Sequence, residues 1–508
     1  MAVVASLVTW ACVHTGSSRS PAPPRSSATV GATALLPTLC STGSSSSQPL
    51  AVLVYVDDVP FAVLPDTGSS NFNLATTRCG PKCDVQPLWD VKELDGPTFE
   101  ITYGTGGAVM TNAKAKLSLG GVTVQDGSVS AIVDQLAGSD GFNLFPSPSD
   151  PVCYNTYAGV LGLAYRGQAA GPAIGGKPNS VTNGTSVPLY DQLVAQGTPN
   201  AFAIELCGRY PQDCGPRQNT DSWLPSRTCD VNYTVGNFYV GGYRSSSLAE
   251  EMKFTPISDE IHMNVVLKGM EVCGTSGCKS VKFPDLIGGE TEDSCVCHSD
   301  GCPIPLEQDE YCYFTALDTG ADGIFMNTVN NTKALLNAMD EVDMVIFPEG
   351  LDDSTTRDKF YFDVFPVQGA KASDKARFTI LFSGMDGEDL RVEVDPRVIF
   401  RQAHSGLVQI AVHGNLNVTA AYQQAKFPVL IGDSLIYNRV IFFDRSRKRI
   451  GFAKVKPERC GMPVNDPEAE IDVRGLVVET PGAGCRKGTG SGGGCPQKTR
   501  PVTLDAVV

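Results

Sequence analysis

The sequence predicts an all-β chain built from two homologous lobes that face one another across a cleft. Three observations predict it: short alternating apolar runs broken by turn residues, a tripeptide repeated with its surroundings at two distant places, and few segments of helical periodicity.

The first observation covers most of the chain. From Leu50 to about Lys454, apolar runs alternate with Gly, Asn, Asp and Pro clusters. Strands are expected at Ala51–Val56, Phe61–Leu64, Phe99–Tyr103, Lys114–Leu119, Val124–Val133, Asn237–Val240, Phe360–Val364, Phe378–Phe382 and Val440–Phe443. Helical periodicity is confined to two short stretches, Val187–Gln196 and Lys333–Met339.

The repeat organises the rest. Val63-Leu64-Pro65-Asp66-Thr67-Gly68 is echoed by Ala316-Leu317-Asp318-Thr319-Gly320. Each copy is followed at a distance by an apolar pair ahead of a glycine: Gly159-Val160-Leu161-Gly162, then Val429-Leu430-Ile431-Gly432-Asp433. One Asp-Thr-Gly alone carries little information. Two, each with its trailing glycine element in the same order, describe a duplicated half. The lobes are expected at 50–205 and 206–460. A signal peptide is expected over 1–15, a disordered leader or short prosegment over 16–49, and a disordered tail over 461–508.

Composition narrows the function. With 508 residues, 42% of them hydrophobic and 19% charged, the chain can bury large cores. A net charge of −15 argues against a nucleic-acid partner, which would need runs of Lys and Arg to neutralise phosphates. No apolar run after Ala453 approaches the roughly 20 residues of a membrane span. Seventeen cysteines and four sequons, at Asn183, Asn232, Asn330 and Asn417, point to the secretory pathway and to glycosylation there. Removing Cys12 with the signal peptide would leave an even number. The cluster Cys273, Cys278, Cys295, Cys297, Cys302 and Cys312, with His298 inside it, has partly zinc-like spacing. In an oxidising compartment it reads as a disulfide-knit insertion, and no metal or cofactor is expected.

At these motifs the chain resembles the pepsin-like family of aspartic peptidases over about residues 50–460. Asp66-Thr67-Gly68-Ser69-Ser70-Asn71 is similar to the family's first active-site loop, and Ile101–Gly106 to its flap hairpin with the flap tyrosine, Tyr103. Phe427–Asp433 and Val440–Ala453 are similar to the second lobe's counterpart and closing strand. Within the family, Phe202–Gly208 and the stretch from Arg447 to Cys460 resemble the β-secretase branch. The resemblance implies a bilobal pepsin-like fold with its active site between the lobes. It also implies a monomer that hydrolyses polypeptide substrates, secreted or held in an endosome- or lysosome-like lumen.

That chemistry needs activated water and a polarised amide. Two carboxylates a few ångströms apart cannot both ionise cheaply, so Asp66 and Asp318 share one proton. Gly68 and Gly320 are expected to let each loop turn sharply and to bring backbone N–H groups toward the carboxylates. By resemblance, Thr67 and Thr319 hold the two loops in register, Ser69 hydrogen-bonds Asp66, and Tyr103 with Gly104 and Thr105 closes over substrate. By the same resemblance Cys79 pairs with Cys83, and Cys207 with Cys460. The second loop departs from the family pattern. Ala321 has no hydroxyl to offer Asp318, and an inward Asp322 would add like charge, so both are expected to raise the dyad's upper pKa. Pro65 removes an N–H from a central strand. The alternative reading is a catalytically inactive scaffold of the same fold that binds peptides or other ligands.

Overall fold

The computed structural model describes residues 28–37, 50–136, 157–166, 186–207, 236–281, 313–414, 429–479 and 499–501, apart from short breaks. Residues 1–27 lie outside it, and so do Asn183, Asn232, Asn417, Cys295, Cys297, Cys302 and Cys312. The sequon residue Asn330 is exposed in the first turn of a helix.

The protein is all-β in character, and each lobe carries one copy of the repeat. In the first lobe β1 (Gly31–Pro37) leads into β2 (Leu50–Val56), β3 (Val59–Asp66) and β4 (Phe72–Ala75). The long hairpin strands β5 (Asp95–Tyr103), β6 (Gly106–Leu119) and β7 (Val122–Leu136) follow, then β8 (Gly159–Gly162) and β9 (Ala201–Leu206); β10 (Gly236–Val240), inside the stretch expected as the second lobe, pairs with β9 and β1. The second lobe begins with β11 (Lys253–Asp259), β12 (Asn264–Gly274), β13 (Gly277–Val281), β14 (Tyr313–Leu317) and β15 (Ile324–Met326). Short pairings follow at β16 (Val345–Ile346), β17 (Val367–Gln368) and β18 (Lys371–Ala372). The lobe then runs through β19 (Arg377–Ser383), β20 (Asp389–Val394), β21 (Phe400–Ala403), β22 (Leu407–Ile410) and β23 (Val412–Gly414). It closes with β24 (Val429–Ile431), β25 (Arg439–Asp444) and β26 (Arg449–Lys454).

The repeat is reproduced strand for strand. In the first lobe β3 runs parallel to β8, with Asp66 opposite Gly162, while β4 pairs antiparallel to β8 and parallel to β7. In the second lobe β14 runs parallel to β24, while β15 pairs antiparallel to β24 and parallel to β23. The trailing glycines have the same task in both. A Cβ at Gly162 would lie 2.4 Å from the backbone carbon of Ser70, and one at Gly432 would lie 2.4 Å from the carbonyl oxygen of Ala321. Each glycine lets its strand lie directly against the neighbouring Asp-loop.

The lobes join through an antiparallel sheet in the order β1, β10, β9, β25, β26, β11. Its period-2 alternation sorts side chains onto two cores. Phe202, Ile204, Phe238, Ile441 and Phe443 face the main core, whereas Ala203, Tyr239, Val440 and Phe442 face a smaller one on the opposite side. Phe202 stacks on Phe443 at 4.7 Å and on Phe238 at 5.7 Å between ring centroids, so aromatic packing joins the two lobes.

Three expectations are corrected here. Gly31–Pro37, placed in the disordered leader, is β1, with Leu35 in the main core and its backbone paired to β10 and β2. The apolar residues of Gly31–Pro37 are enough to make a strand where a sheet edge waits for one. Residues 461–476, placed in the disordered tail, cover the smaller core with Ile471, Val473 and Leu476. Phe360–Val364, expected as a strand, begins inside a helix, Ser354–Phe362. Asp353 caps that helix, accepting from Thr356 N at 2.9 Å, and the buried Phe360 and Tyr361 rings pack against Phe347. The two expected helices are present as Leu189–Ala195 and a longer Val329–Glu341.

Disulfides link Cys79 to Cys83, Cys207 to Cys460 and Cys273 to Cys278. The second closes a sequence separation of 253 and anchors the chain beyond β26 to the end of β9. Beside it, fully buried Glu205 accepts from Asn237, Tyr239 and the Gly461 N–H, and pairs with Arg244. Replacing Cys207 and Cys460 together by Ser should lower unfolding stability by about 2–5 kcal/mol, read from denaturant melts. Equal melts would mean that the loop closure contributes nothing.

Candidate active site

Asp66 ends β3 and Asp318 immediately follows β14, so the two parallel pairs with β8 and β24 deliver both carboxylates to one place. The backbone fixes them. Leu163 N donates to the Asp66 carbonyl at 2.8 Å, and Asp318 N donates to the Ile431 carbonyl at 2.9 Å. Both carboxylates are nearly buried, 6% and 5% exposed, within reach of substrate yet largely out of bulk water.

The two loops are tied reciprocally. Thr67 Oγ1 donates to the Leu317 carbonyl at 2.5 Å and accepts from Thr319 N at 3.0 Å. Thr319 Oγ1 donates to the Pro65 carbonyl at 2.7 Å and accepts from Thr67 N at 3.1 Å. Each hydroxyl therefore uses both its donor and an acceptor lone pair across the lobe boundary, which fixes the separation of the aspartates. Pro65 has no N–H to give its strand, but its carbonyl is the acceptor this lock needs.

The chain turns at both loops, as expected, but neither Gly68 nor Gly320 has positive φ, so glycine is required next to each aspartate for space. A Cβ at Gly68 would lie 2.6 Å from Asp318 Oδ2. One at Gly320 would lie 2.6 Å from Asp66 Oδ1 and 3.1 Å from Asp318 Oδ1, so both carboxylates converge on the same point. Gly68 N donates to Asp66 Oδ1 at 2.8 Å, and Gly320 N to Asp318 Oδ1 at 2.9 Å.

The hydroxyl support is unequal. Ser69 Oγ donates to Asp66 Oδ2 at 2.5 Å. Ala321 stands where the second loop would carry an equivalent hydroxyl, and its backbone N–H instead donates to the Asp318 carbonyl at 3.0 Å. Burial pushes the Asp318 carboxyl well above the usual carboxylate range. The neighbouring Asp66 charge and the hydrogen bond between the two groups add to this, against the Gly320 and Gly68 N–H groups, which lower it. Asp322, Gly104 and Thr105 lie outside the described residues.

Tyr103 ends β5, and its phenol is held above its usual pKa by burial and by the Asp66 charge. Asn73, which the sequence reading passed over, donates to Tyr103 Oη at 2.6 Å. Tyr157, also passed over, is buried and feels the Asp66 charge. Asn73 sits in the run that follows the first Asp-Thr-Gly and was the findable signal; Tyr157 directly precedes the Ala158-Gly159 of the trailing element. Among the described residues, Glu205, Cys207 and Cys460 are the cluster of metal-ligating types. Its sulfurs form a disulfide and its carboxylate is already hydrogen-bonded, so it has no ligand set to offer.

A sequence model of the family described as eukaryotic aspartyl protease matches residues 57–210, the stretch that holds the first Asp-loop, the β5–β6 hairpin and β8. Over that stretch the chain is similar to the eukaryotic aspartyl proteases. The duplicated Asp-loops and the mostly-β bilobal fold agree with that likeness. Among curated relatives it is 24% identical to cathepsin E of Mus musculus over 295 residues, covering 56% of this chain and 63% of that one. It is 29% identical to renin of Canis lupus familiaris over 147 residues, 27% of this chain and 30% of that one. It is 25% identical to renin of Ovis aries over 228 residues, 42% and 46% of the two chains. The chain thus spans from about a third to under two thirds of the length of these relatives. No helix among the described residues is long and apolar enough to cross a membrane.

Proposed function

We propose that the chain is an aspartic endopeptidase that hydrolyses peptide bonds with water activated between Asp66 and Asp318. The observation that carries this reading is the convergence of two buried carboxylates on a point that only glycine leaves open. The pair shares one proton and titrates as a unit. Water attacks the scissile carbonyl carbon and gives a proton to the ionised carboxylate, while the protonated one passes its proton to the carbonyl oxygen. The gem-diol collapses as the proton taken from water moves to the amide nitrogen, the C–N bond breaks, and the other carboxylate recovers a proton from the gem-diol hydroxyl. The products are a carboxylic acid and an amine.

Tyr103 covers the site and limits water around the intermediate. The substrates are polypeptides in an acidic lumen or outside the cell, met by a monomer. The Cys207–Cys460 link, at motifs resembling the β-secretase branch, supports a place near that branch. The purified protein should cleave an unfolded protein at acid pH, and pepstatin should block the cleavage. A folded protein that binds pepstatin without cleaving any substrate would make it a binding scaffold instead.

A further inference from the structure

Asn73 has no part in the carboxylate chemistry, yet its side chain is fully buried and both its polar ends are occupied. Oδ1 accepts from the Val160 N–H at 3.0 Å, and Nδ2 donates to Tyr103 Oη at 2.6 Å. Asn73 and Val160 are cross-strand partners in the β4–β8 pair, so the first bond is set by the sheet register. A backbone N–H can only donate. The atom facing Val160 must therefore be the amide oxygen, and the NH2 group must face Tyr103. That N–H occupies a lone pair of the phenol oxygen, so the phenol's own hydrogen points elsewhere.

Tyr103 lies close enough to Asp66 for that carboxylate's charge to act on its phenol. We propose that Asn73 is a positioning residue that holds the Tyr103 hydroxyl as a donor aimed into the cleft beside Asp66, toward an acceptor oxygen of the bound polypeptide. The role rests on the peptidase reading of the site. Burial and the Asp66 charge keep the phenol protonated wherever the carboxylates work, so the donor is always present.

Asn73→Asp tests this with little change of shape. The introduced group still accepts from Val160 N–H, and where it is ionised its other oxygen is an acceptor that draws the phenol hydrogen away from the cleft. The kcat/KM of Asn73→Asp should then fall about tenfold, to the level of Tyr103→Phe, and the double variant should be no worse than either. Burial lets that carboxyl stay protonated in acid, where it can still donate to Tyr103, so the three variants are compared with wild type across the whole pH profile and the loss should grow as pH rises. A folded Asn73→Asp with wild-type kcat/KM, or losses that multiply in the double variant, would overturn the proposal. A neutron map of deuterated wild-type protein needs neither variant nor turnover. It should show the Nδ2 deuterons toward Tyr103 and the phenol deuteron pointing away from Asn73; a phenol deuteron on the Asn73 side overturns the proposal. A wild type inert toward all substrates would refute the peptidase reading and leave the neutron result to decide the orientation.

Discussion

Asp66→Asn and Asp318→Asn should each lower kcat by about 10^4-fold, because each removes one of the two groups that move protons in the same step. The double variant should be scarcely worse than either single one, since a pair that acts as a unit is lost with its first member. Asp318→Asn has a second readout that needs no substrate. A carboxyl whose folded-state pKa is raised adds stability that is complete below the ordinary carboxylate range and is lost as pH rises through the raised value. An amide has no such dependence. Asp318→Asn should therefore melt like wild type in acid and above it at neutral pH. A constant difference across that range would mean that Asp318 is not held neutral by the fold.

Gly68→Ala and Gly320→Ala should each lower kcat/KM by about 10^2-fold while leaving the protein folded. Neither glycine needs an unusual backbone conformation, so alanine brings no strain of its own. It brings a methyl carbon to 2.6 Å from the opposite carboxylate, closer than real contacts allow, and the carboxylates must separate. Displacement of a reacting group by about an ångström costs roughly that factor. Steady-state kinetics with a peptide substrate checks this. Wild-type kinetics in either variant would mean that the close convergence on the glycines is not used.

The duplicated Asp-loops were legible because a repeat survives in sequence wherever the backbone itself makes the contact. Gly162 and Gly432 are fixed by strand-to-loop approach, and Thr67 and Thr319 by a reciprocal hydroxyl lock, so residue type and spacing are both constrained. What escaped reading depends on partners far away in the chain. Gly31–Pro37 is a strand because β10 and β2 offer it hydrogen bonds, and 461–476 is ordered because the outer face of β25 needs cover. Neither is visible locally: Gly31–Pro37 lies in a stretch rich in Ser, Ala and Pro, and 461–476 carries no alternating apolar run. The aromatic pair of the Ser354–Phe362 helix favours a strand in sequence, while the cap that starts the helix, Asp353, lies upstream of those aromatics. Asn73 escaped for a related reason: an Asn among strand residues looks like a turn until the Val160 N–H and the Tyr103 hydroxyl are seen on its two ends.

The central claim is that Asp66 and Asp318 share one proton, and kcat/KM against pH tests it most directly. A shared proton predicts a bell whose alkaline limb lies above the ordinary carboxylate range and falls about tenfold per pH unit as that proton is lost. Ala321→Thr, which restores a hydroxyl to Asp318, should move that alkaline limb to lower pH. Activity that stays level through neutral pH, with the wild-type and Ala321→Thr profiles superimposed, would contradict the claim.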